Sequence, residues 1–141
     1  MGSCGVTYLL DTSVWYRGRT ALQSIPAAER DILANEKEPS LSIISVWEIA
    51  KKVQRGKLHL AKDLAAWLSE ATGPPFNILN LDSDVIVEAM RLPAFPNRDP
   101  ADEMIVATAR VYDLTLMTTD RALKNYPHVR IHYFEPLIGS D

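Results

Sequence analysis

The chain has 141 residues, 47% of them hydrophobic, and this length and apolar content suit a single domain that spans residues 1–141. The one cysteine, Cys4, excludes a disulfide framework or a cysteine-based zinc site within one chain, and it is consistent with a reducing compartment. The formal net charge of −3 argues mildly against a nucleic-acid binder, because such proteins are often strongly basic.

Strand-like and helical patterns alternate along the chain. In chain order, they predict a strand at residues 6–10, a helical region at about 20–35, a β-like run at 40–44, helices at 46–55 and 64–71, a strand at 76–81, helices at 82–92 and 100–112, and strands at 115–118 and 129–134. This alternation predicts an α/β fold in which helices cover both faces of a parallel sheet.

The sequence gives no sign of membrane attachment or secretion. No apolar run approaches the roughly 20 residues that a membrane span requires. The opening residues, MGSCGVTYLLD, lack the basic region and long apolar stretch of a signal peptide. We therefore expect a cytoplasmic protein that does not contact a membrane.

Acidic residues stand near the predicted carboxyl ends of the strands. Asp11 and Asp120 each follow a strand, and Glu48 lies one turn into the helix after the second strand. Asp102 begins the helix that leads into the strand before Asp120. Because ligands bind at the carboxyl ends of strands in such sheets, these acids are candidates for one site.

Each acid also has a structural interpretation that stays open at this point. Asp11 and Asp120 can be helix N-caps, a role worth about 1 kcal/mol. Asp82, which also follows a strand-like run, is interpreted as an N-cap. Glu48 can lie on a solvated helix face and pair with Lys52 at the i+4 position.

The segment RDPADEMIVATAR, residues 98–110, concentrates three acids at the start of a helix. Asp99 before Pro100 fits an N-cap with proline at the first helical position. Asp102 can be a capping-box acid, but its helical stripe also carries the apolar residues Ile105, Val106 and Ala109. A carboxylate on that buried stripe is costly unless it is paired or bound to metal. Glu103 lies off the stripe and is interpreted as a solvated charge.

Carboxylates that converge in one crevice repel one another, and a hard divalent cation relieves the repulsion. Ligation by oxygen alone suits Mg²⁺ or Mn²⁺ and disfavours zinc. The three histidines have no convincing ligand spacing and are expected at the surface or at a sheet edge: His59, His128 and His132.

Four motifs in order resemble the PIN-domain ribonucleases, and most nearly the VapC-type toxins of toxin–antitoxin pairs. They are LLDTSVW, SIISVWEIAKKVQRGKLHL, RLPAFPNRDPADEMIVATAR and LTLMTTD, within a similarity that runs from about residue 8 to 126. The resemblance implies a three-layer α/β/α sandwich with a central, mainly parallel sheet. It also implies Mg²⁺-dependent (or Mn²⁺-dependent) hydrolysis of RNA that leaves a 5′-phosphate.

The resemblance also assigns roles to particular residues. It implies that the catalytic, metal-binding acids are Asp11, Glu48, Asp102 and Asp120. The supporting residues that it implies are the hydroxyl residues Thr12, Ser13 and Thr119, beside the cap Asp99. The chain departs from many relatives at Glu103, where they have arginine, and at Asn97, where they have histidine.

Basic residues beside these acids are candidates for contacts with RNA phosphates. Lys51, Lys52, Arg55 and Lys57 follow Glu48, and Arg98 precedes Asp102. An ordinary solvated helix face explains the run from Lys51 equally well. The resemblance further implies an antitoxin protein as a partner, and we expect a homodimer. Trp15 and Trp47 are both expected to pack in the core rather than to support a partner contact.

Three other classes of protein remain alternatives. An aspartyl phosphatase usually has a second acid two residues after the first, where this chain has Ser13. A phospho-receiver domain needs a lysine after a late strand, where this chain has Thr118, Thr119 and Asp120. An inactive domain that only binds RNA or protein would normally have lost one of the four acids.

Overall fold

The computed structural model describes residues 6–137, and its backbone is organised by one sheet. The strands are Tyr8–Leu10 (β1), Ser40–Ser42 (β2), Asn77–Leu79 (β3), Thr115–Thr118 (β4) and Ile131–Tyr133 (β5). Their order is β3-β2-β1-β4-β5, and every neighbouring pair is parallel. The predicted parallel sheet is thus confirmed.

Within residues 6–137, six α-helices connect and cover the strands. They are Thr12–Thr20 (α1), Ala27–Asn35 (α2), Ile43–Gln54 (α3), Leu64–Ala71 (α4), Ser83–Met90 (α5) and Pro100–Val111 (α6). Short 3₁₀ turns stand at Leu22–Ser24 and Arg121–Leu123. Within residues 6–137, no helix is long and apolar enough to cross a membrane.

The helical region expected at about residues 20–35 was misplaced. The first helix begins directly after β1, because the Asp11 carboxylate caps it by accepting from the Thr12 amide. A second helix begins only at Ala27, after Pro26. The β-like run at 40–44 is also shorter than predicted, since the Ser42 hydroxyl accepts from the Ile44 amide and starts α3 at Ile43.

Alternating side chains of the central strands divide the core into two layers. Leu10 and Met117 point into a cluster with residues from α1, α3 and α4, and this cluster includes Trp15 and Trp67. Leu9 and Leu116 point to the opposite face, where α6 packs on the sheet and α5 packs on α6. Helices therefore cover both faces, as the three-layer α/β/α sandwich requires.

The central strand β1 marks a switch in the direction of the chain across the sheet. From β1 the chain builds β2 and β3 on one side, and then crosses to β4 and β5 on the other. Leu10 is in register with Met117, and the Asp11 amide donates to the Met117 carbonyl over 2.9 Å. This register places Asp11 and the end of β4 side by side, at the position where open parallel sheets form a ligand crevice.

Candidate active site

Asp11 is the most enclosed acid of the crevice, with 6% of its surface exposed. Its Oδ1 accepts from the Thr12 amide over 2.8 Å, and its Oδ2 accepts from the Thr118 hydroxyl over 2.5 Å. Both carboxylate oxygens are therefore oriented by protein donors. The N-cap interpretation of Asp11 is confirmed, but a cap alone does not explain the second hydrogen bond, which comes from another strand.

Glu48 is half-buried and faces the start of α1. Its carboxylate accepts a hydrogen bond from the Thr12 hydroxyl, which also lies 2.7 Å from the Ser45 hydroxyl. Lys52 is near enough to favour the charged form of Glu48, but it is the weakest of the influences on that carboxyl. Glu48 is thus held toward Asp11 by a neighbouring helix.

Asp99 and Asp102, at the start of α6, make different contacts and have different roles. Asp99 caps the helix, because its Oδ1 accepts from the Ala101 amide over 2.9 Å. The Asp99 amide donates to Asn97 Oδ1 over 2.9 Å, so it does not serve Asp102 in a capping box. Asp102 instead accepts from Asn97 Nδ2 over 3.0 Å. Asn97 therefore orients both the helix cap and the half-buried Asp102 carboxylate.

Asp120 follows β4 and begins a 3₁₀ turn. Its Oδ1 accepts from the Ala122 amide over 2.9 Å, which confirms the N-cap interpretation. Its own amide donates to the Thr118 hydroxyl over 3.0 Å. Since that hydroxyl donates in turn to Asp11, one threonine links the two acids at the ends of β1 and β4.

Glu48, Asp99 and Asp102 each present a carboxylate oxygen, and these three oxygens lie within 4.8 Å of one another. The charge of Asp11 acts on Glu48 and Asp102, and the charge of Asp120 acts on Asp102. The structure thus brings together the four acids predicted as one site, and it adds Asp99 to them. Asp120 lies at the edge of the cluster.

Burial and mutual repulsion disfavour the charged forms of the inner acids. Burial, followed by the charges of Asp11 and Asp99, raises the pKa of Asp102 to about 7. Burial also raises the pKa of Asp11 and of Glu48, although hydrogen bonds from Thr118 and Thr12 oppose the shifts. Among the described residues, none of the ion pairs involves these acids.

The donor set fits a hard divalent cation. All five acids offer carboxylate oxygen, and within residues 6–137 the side chains that donate hydrogen bonds to Asp11, Glu48 and Asp102 offer hydroxyl or amide groups. Mg²⁺ and Mn²⁺ favour such oxygen ligands, whereas zinc usually takes histidine or cysteine. A cation would also relieve the repulsion that raises these pKa values.

Three orienting residues were missed in the sequence, namely Ser45, Asn97 and Thr118. Thr118 makes the contact with Asp11, whereas the predicted supports Ser13 and Thr119 place their hydroxyls 2.9 Å from each other. Only the position of Thr118 as the last residue of a strand, two before Asp120, could have suggested its role. Asn97 carried a weaker signal, because it stands two residues before a helix cap.

The predicted basic residues mostly line one groove beside the acids. The groove has a volume of about 510 Å³, and its lining includes Lys51, Lys52, Arg55 and Lys57 together with Glu48 and Asp99. Arg98 is exposed in the loop before α6 and is not part of this lining. The groove therefore joins a cationic helix face to the acidic cluster.

The two tryptophans that were expected in the core differ. Trp15 is 1% exposed and its indole nitrogen donates to the Ala71 carbonyl over 2.9 Å, so that prediction is confirmed. Trp47 is 53% exposed and lines the groove, so core packing was the wrong prediction for it. The histidines lie as expected: His59 and His128 are exposed, and His132 is on the edge strand β5.

The fold and the site together define a doubly wound α/β domain with an acidic crevice at its switch point. Comparison with known families identifies it further: the PIN domain profile matches residues 8–129. The chain therefore belongs to the PIN domain family, and the resemblance found in the sequence motifs is confirmed.

Individual relatives extend this match over most of the chain. Ribonuclease VapC22 of Mycobacterium tuberculosis is 29% identical over 124 residues, which are 88% of this chain and 95% of that protein. VapBC2 from Rickettsia felis, solved bound to a promoter DNA fragment, has a TM-score of 0.67 at 16% identity and covers 92% of this chain and 100% of its own. A toxin–antitoxin complex from Klebsiella pneumoniae has a TM-score of 0.63 at 20% identity, with coverages of 92% and 99%. These structures share the fold.

Proposed function

We propose that this protein is a metal-dependent endoribonuclease and the toxin of a toxin–antitoxin pair. The observation that carries the proposal is the convergence of Asp11, Glu48 and Asp102, with Asp120 at the edge, in a crevice where none of these acids forms an ion pair within residues 6–137. Membership of the PIN domain family and the similarity to a protein named ribonuclease support the choice of RNA as substrate.

Mg²⁺ or Mn²⁺ would be held by the carboxylates of Asp11, Glu48, Asp102 and Asp120. When bound, such an ion lowers the pKa of a water molecule and polarises a phosphate. Asp99 adds negative charge beside these ligands while it caps α6. The protein contributes by holding its acids in place before any ion arrives.

Each proposed ligand has its own positioning contact. Thr118 and the Thr12 amide fix the two oxygens of Asp11, and Asn97 fixes Asp102. Hydrogen bonds of this kind to metal-binding groups set their orientation and basicity. Glu48, which accepts a hydrogen bond from the Thr12 hydroxyl, would orient the attacking water beside the ion. Hydrolysis would then leave a 5′-phosphate.

The basic residues beside Glu48 would attract RNA, which the net negative charge of the chain does not. Lys51, Lys52, Arg55 and Lys57 are grouped on one side of the acidic crevice. Basic side chains in such positions contact backbone phosphates and orient the strand without reading its sequence. RNA would therefore enter over the end of α3, with Arg98 as an additional contact near α6.

The direct experiment is incubation of the purified chain, free of partners, with total cellular RNA in Mg²⁺, Mn²⁺ or EDTA, followed by sequencing of new 5′-phosphate ends. New ends are expected only with a divalent ion. Hydrolysis of p-nitrophenyl phosphate without RNA cleavage would instead favour a phosphatase. RNA binding without cleavage in either metal would favour an inactive domain.

The toxin assignment includes a protein partner in the cytoplasm. The solved relatives include complexes described as VapBC or as toxin–antitoxin complexes. An acidic crevice suits an arginine or lysine supplied by an inhibitor, since charge-assisted hydrogen bonds to carboxylates are strong. Co-purification from the native host should recover a small inhibitory protein, and harmless expression without any partner would contradict the assignment. A homodimer is also part of the proposal, and sedimentation would test it.

A further inference from the structure

Trp47 is an exposed indole directly beside the proposed catalytic centre. It precedes Glu48 in α3 and is 53% exposed, whereas Trp15 and Trp67 are 1% and 8% exposed and pack together in the core. Leaving a large aromatic surface in water forgoes stabilisation that burial would give. Core packing therefore does not explain why a tryptophan stands at position 47, whereas a ligand that covers the face of its indole would explain it.

The surroundings of Trp47 combine apolar, cationic and acidic groups in one groove. The apolar wall is formed by Ile44, Leu81, Pro100, Ala101 and Met104. Trp47 and Lys51 in α3 and Arg55 at its C-cap follow one another at steps of four residues, so they lie on one side of the helix. Glu48 and Asp99 close the groove at the catalytic end. An aromatic surface, phosphate-binding cations and the reacting centre therefore adjoin one another.

We propose that Trp47 is a stacking surface for an unpaired base beside the cleaved bond. This inference rests on the proposed function and assigns a substrate-positioning residue to it. Proteins that bind single strands combine a cationic groove with aromatic side chains on which bases stack. Bases in a duplex are paired and stacked on each other, so their faces cannot reach an indole.

Charge complementarity favours RNA over a protein as the occupant of this groove. Four cationic side chains line it: Lys51, Lys52, Arg55 and Lys57. A polyanion is attracted to these groups, whereas a basic protein segment that lay along this groove would be repelled by them. The continuity of the groove with Glu48 also places its occupant next to the scissile phosphate.

Tryptophan fluorescence in EDTA tests stacking without any cleavage. Trp47 is the most exposed of the three tryptophans, so a stacked base should quench its emission while Trp15 and Trp67 stay shielded. Short single-stranded RNA should quench strongly, and the same sequence in a duplex should not. The quenching should be absent in Trp47→Phe. Equal quenching by the duplex, or none by the single strand, would overturn the proposal.

Binding and cleavage by Trp47 variants provide the second measurement. Loss of one base–aromatic stack should weaken binding of single-stranded RNA about tenfold in Trp47→Ala, whereas Trp47→Phe should retain most of the affinity. KM should rise in parallel, with a smaller change in kcat. Met90→Ala, which removes a 67% exposed side chain outside the groove lining, is the matched control and should change neither.

The outcomes separate this inference from the proposed function. If the parent cleaves RNA with metal but Trp47→Ala binds and cleaves like the parent, stacking is wrong and the ribonuclease remains. If Trp47→Ala loses only an inhibitor or a second copy of the chain, the groove is a protein interface and the inference is overturned. If the parent cleaves no RNA, the proposed function fails, while quenching in EDTA still decides whether single strands stack on Trp47.

Discussion

The Thr118 hydroxyl and the Asp11 carboxylate are 107 residues apart in sequence and 2.5 Å apart in space. The same hydroxyl accepts from the Asp120 amide, so it joins the carboxyl ends of β1 and β4. Thr118 is fully buried, and Asp11 has little access to water. Thr118 is thus expected to orient the proposed metal ligand Asp11 without being a ligand itself.

Thr118→Val keeps the shape of this side chain and removes its hydroxyl. We expect a loss of about 1–3 kcal/mol in stability, because the buried Asp11 carboxylate and the Asp120 amide each lose a partner. Activity should fall about 10- to 100-fold, as for other residues that orient metal ligands. Chemical denaturation and an RNA cleavage assay measure the two effects. Thr118→Ser should recover most of both, and its failure to do so would count against the hydrogen bond as the cause.

Two substitutions separate the helix-capping role of Asp99 from the effect of its negative charge. Asp99→Asn keeps a good N-cap and removes one like charge from the acidic cluster, so metal-free stability should hold or rise. Asp99→Ala also removes the cap and should cost on the order of 1 kcal/mol relative to Asp99→Asn. Both should keep much of the activity, because the four proposed ligands remain. Melting in EDTA and the RNA assay distinguish these effects, and complete inactivity of Asp99→Asn would make Asp99 a ligand.

The raised pKa of Asp102 predicts how stability depends on pH without metal. Between the ordinary carboxyl pKa near 3.8 and the folded-state pKa of about 7, the folded protein holds a proton that the unfolded chain has lost. Stability in EDTA should therefore be greatest at the acidic end of this window and fall as pH rises toward 7. The raised pKa values of Asp11 and Glu48 act in the same direction. Asp102→Asn should flatten the dependence, and an unchanged pH profile would contradict the assignment.

The same protons compete with the cation. Metal binding requires charged carboxylates, so Mg²⁺ should bind more weakly below the Asp102 pKa of about 7. The Mg²⁺ concentration that gives half of the maximal increase in melting temperature should rise as pH falls from 8 to 6. A midpoint that stays constant over this range would show that no proton is released on binding.

The sequence was sufficient for features that depend on local pattern. The bounds of α4 and β4 were predicted as observed, since Gly73-Pro74-Pro75 follows the first and a compact apolar run forms the second. Asp11 and Asp102 could be predicted as members of one acidic cluster, because Asp11 follows a strand and Asp102 lies on an apolar helical stripe. These signals are contained within a few residues of each acid.

Features that depend on distant packing could not be predicted. The role of Thr118 follows from the register of β1 with β4, which no local window contains. The exposure of Trp47 depends on which neighbours cover α3, and its apolar character alone suggested the core. The start of α1 was missed because its sequence, TSVWYRGRT, combines polar residues and a glycine, so its burial rests on Val14 and Trp15 rather than on a periodic face.

The central claim is tested most directly by RNA cleavage with the parent, Asp102→Asn and Glu103→Gln, each in Mg²⁺ and in EDTA. Glu103 is the adjacent acid on the same helical turn and serves as the matched control. The parent and Glu103→Gln should cleave in Mg²⁺ and not in EDTA. Asp102→Asn should lose more activity than the roughly 10- to 100-fold expected for a residue that only orients a ligand. Cleavage that persists in EDTA, or an Asp102→Asn variant as active as the parent, would contradict a metal-dependent ribonuclease built on these acids.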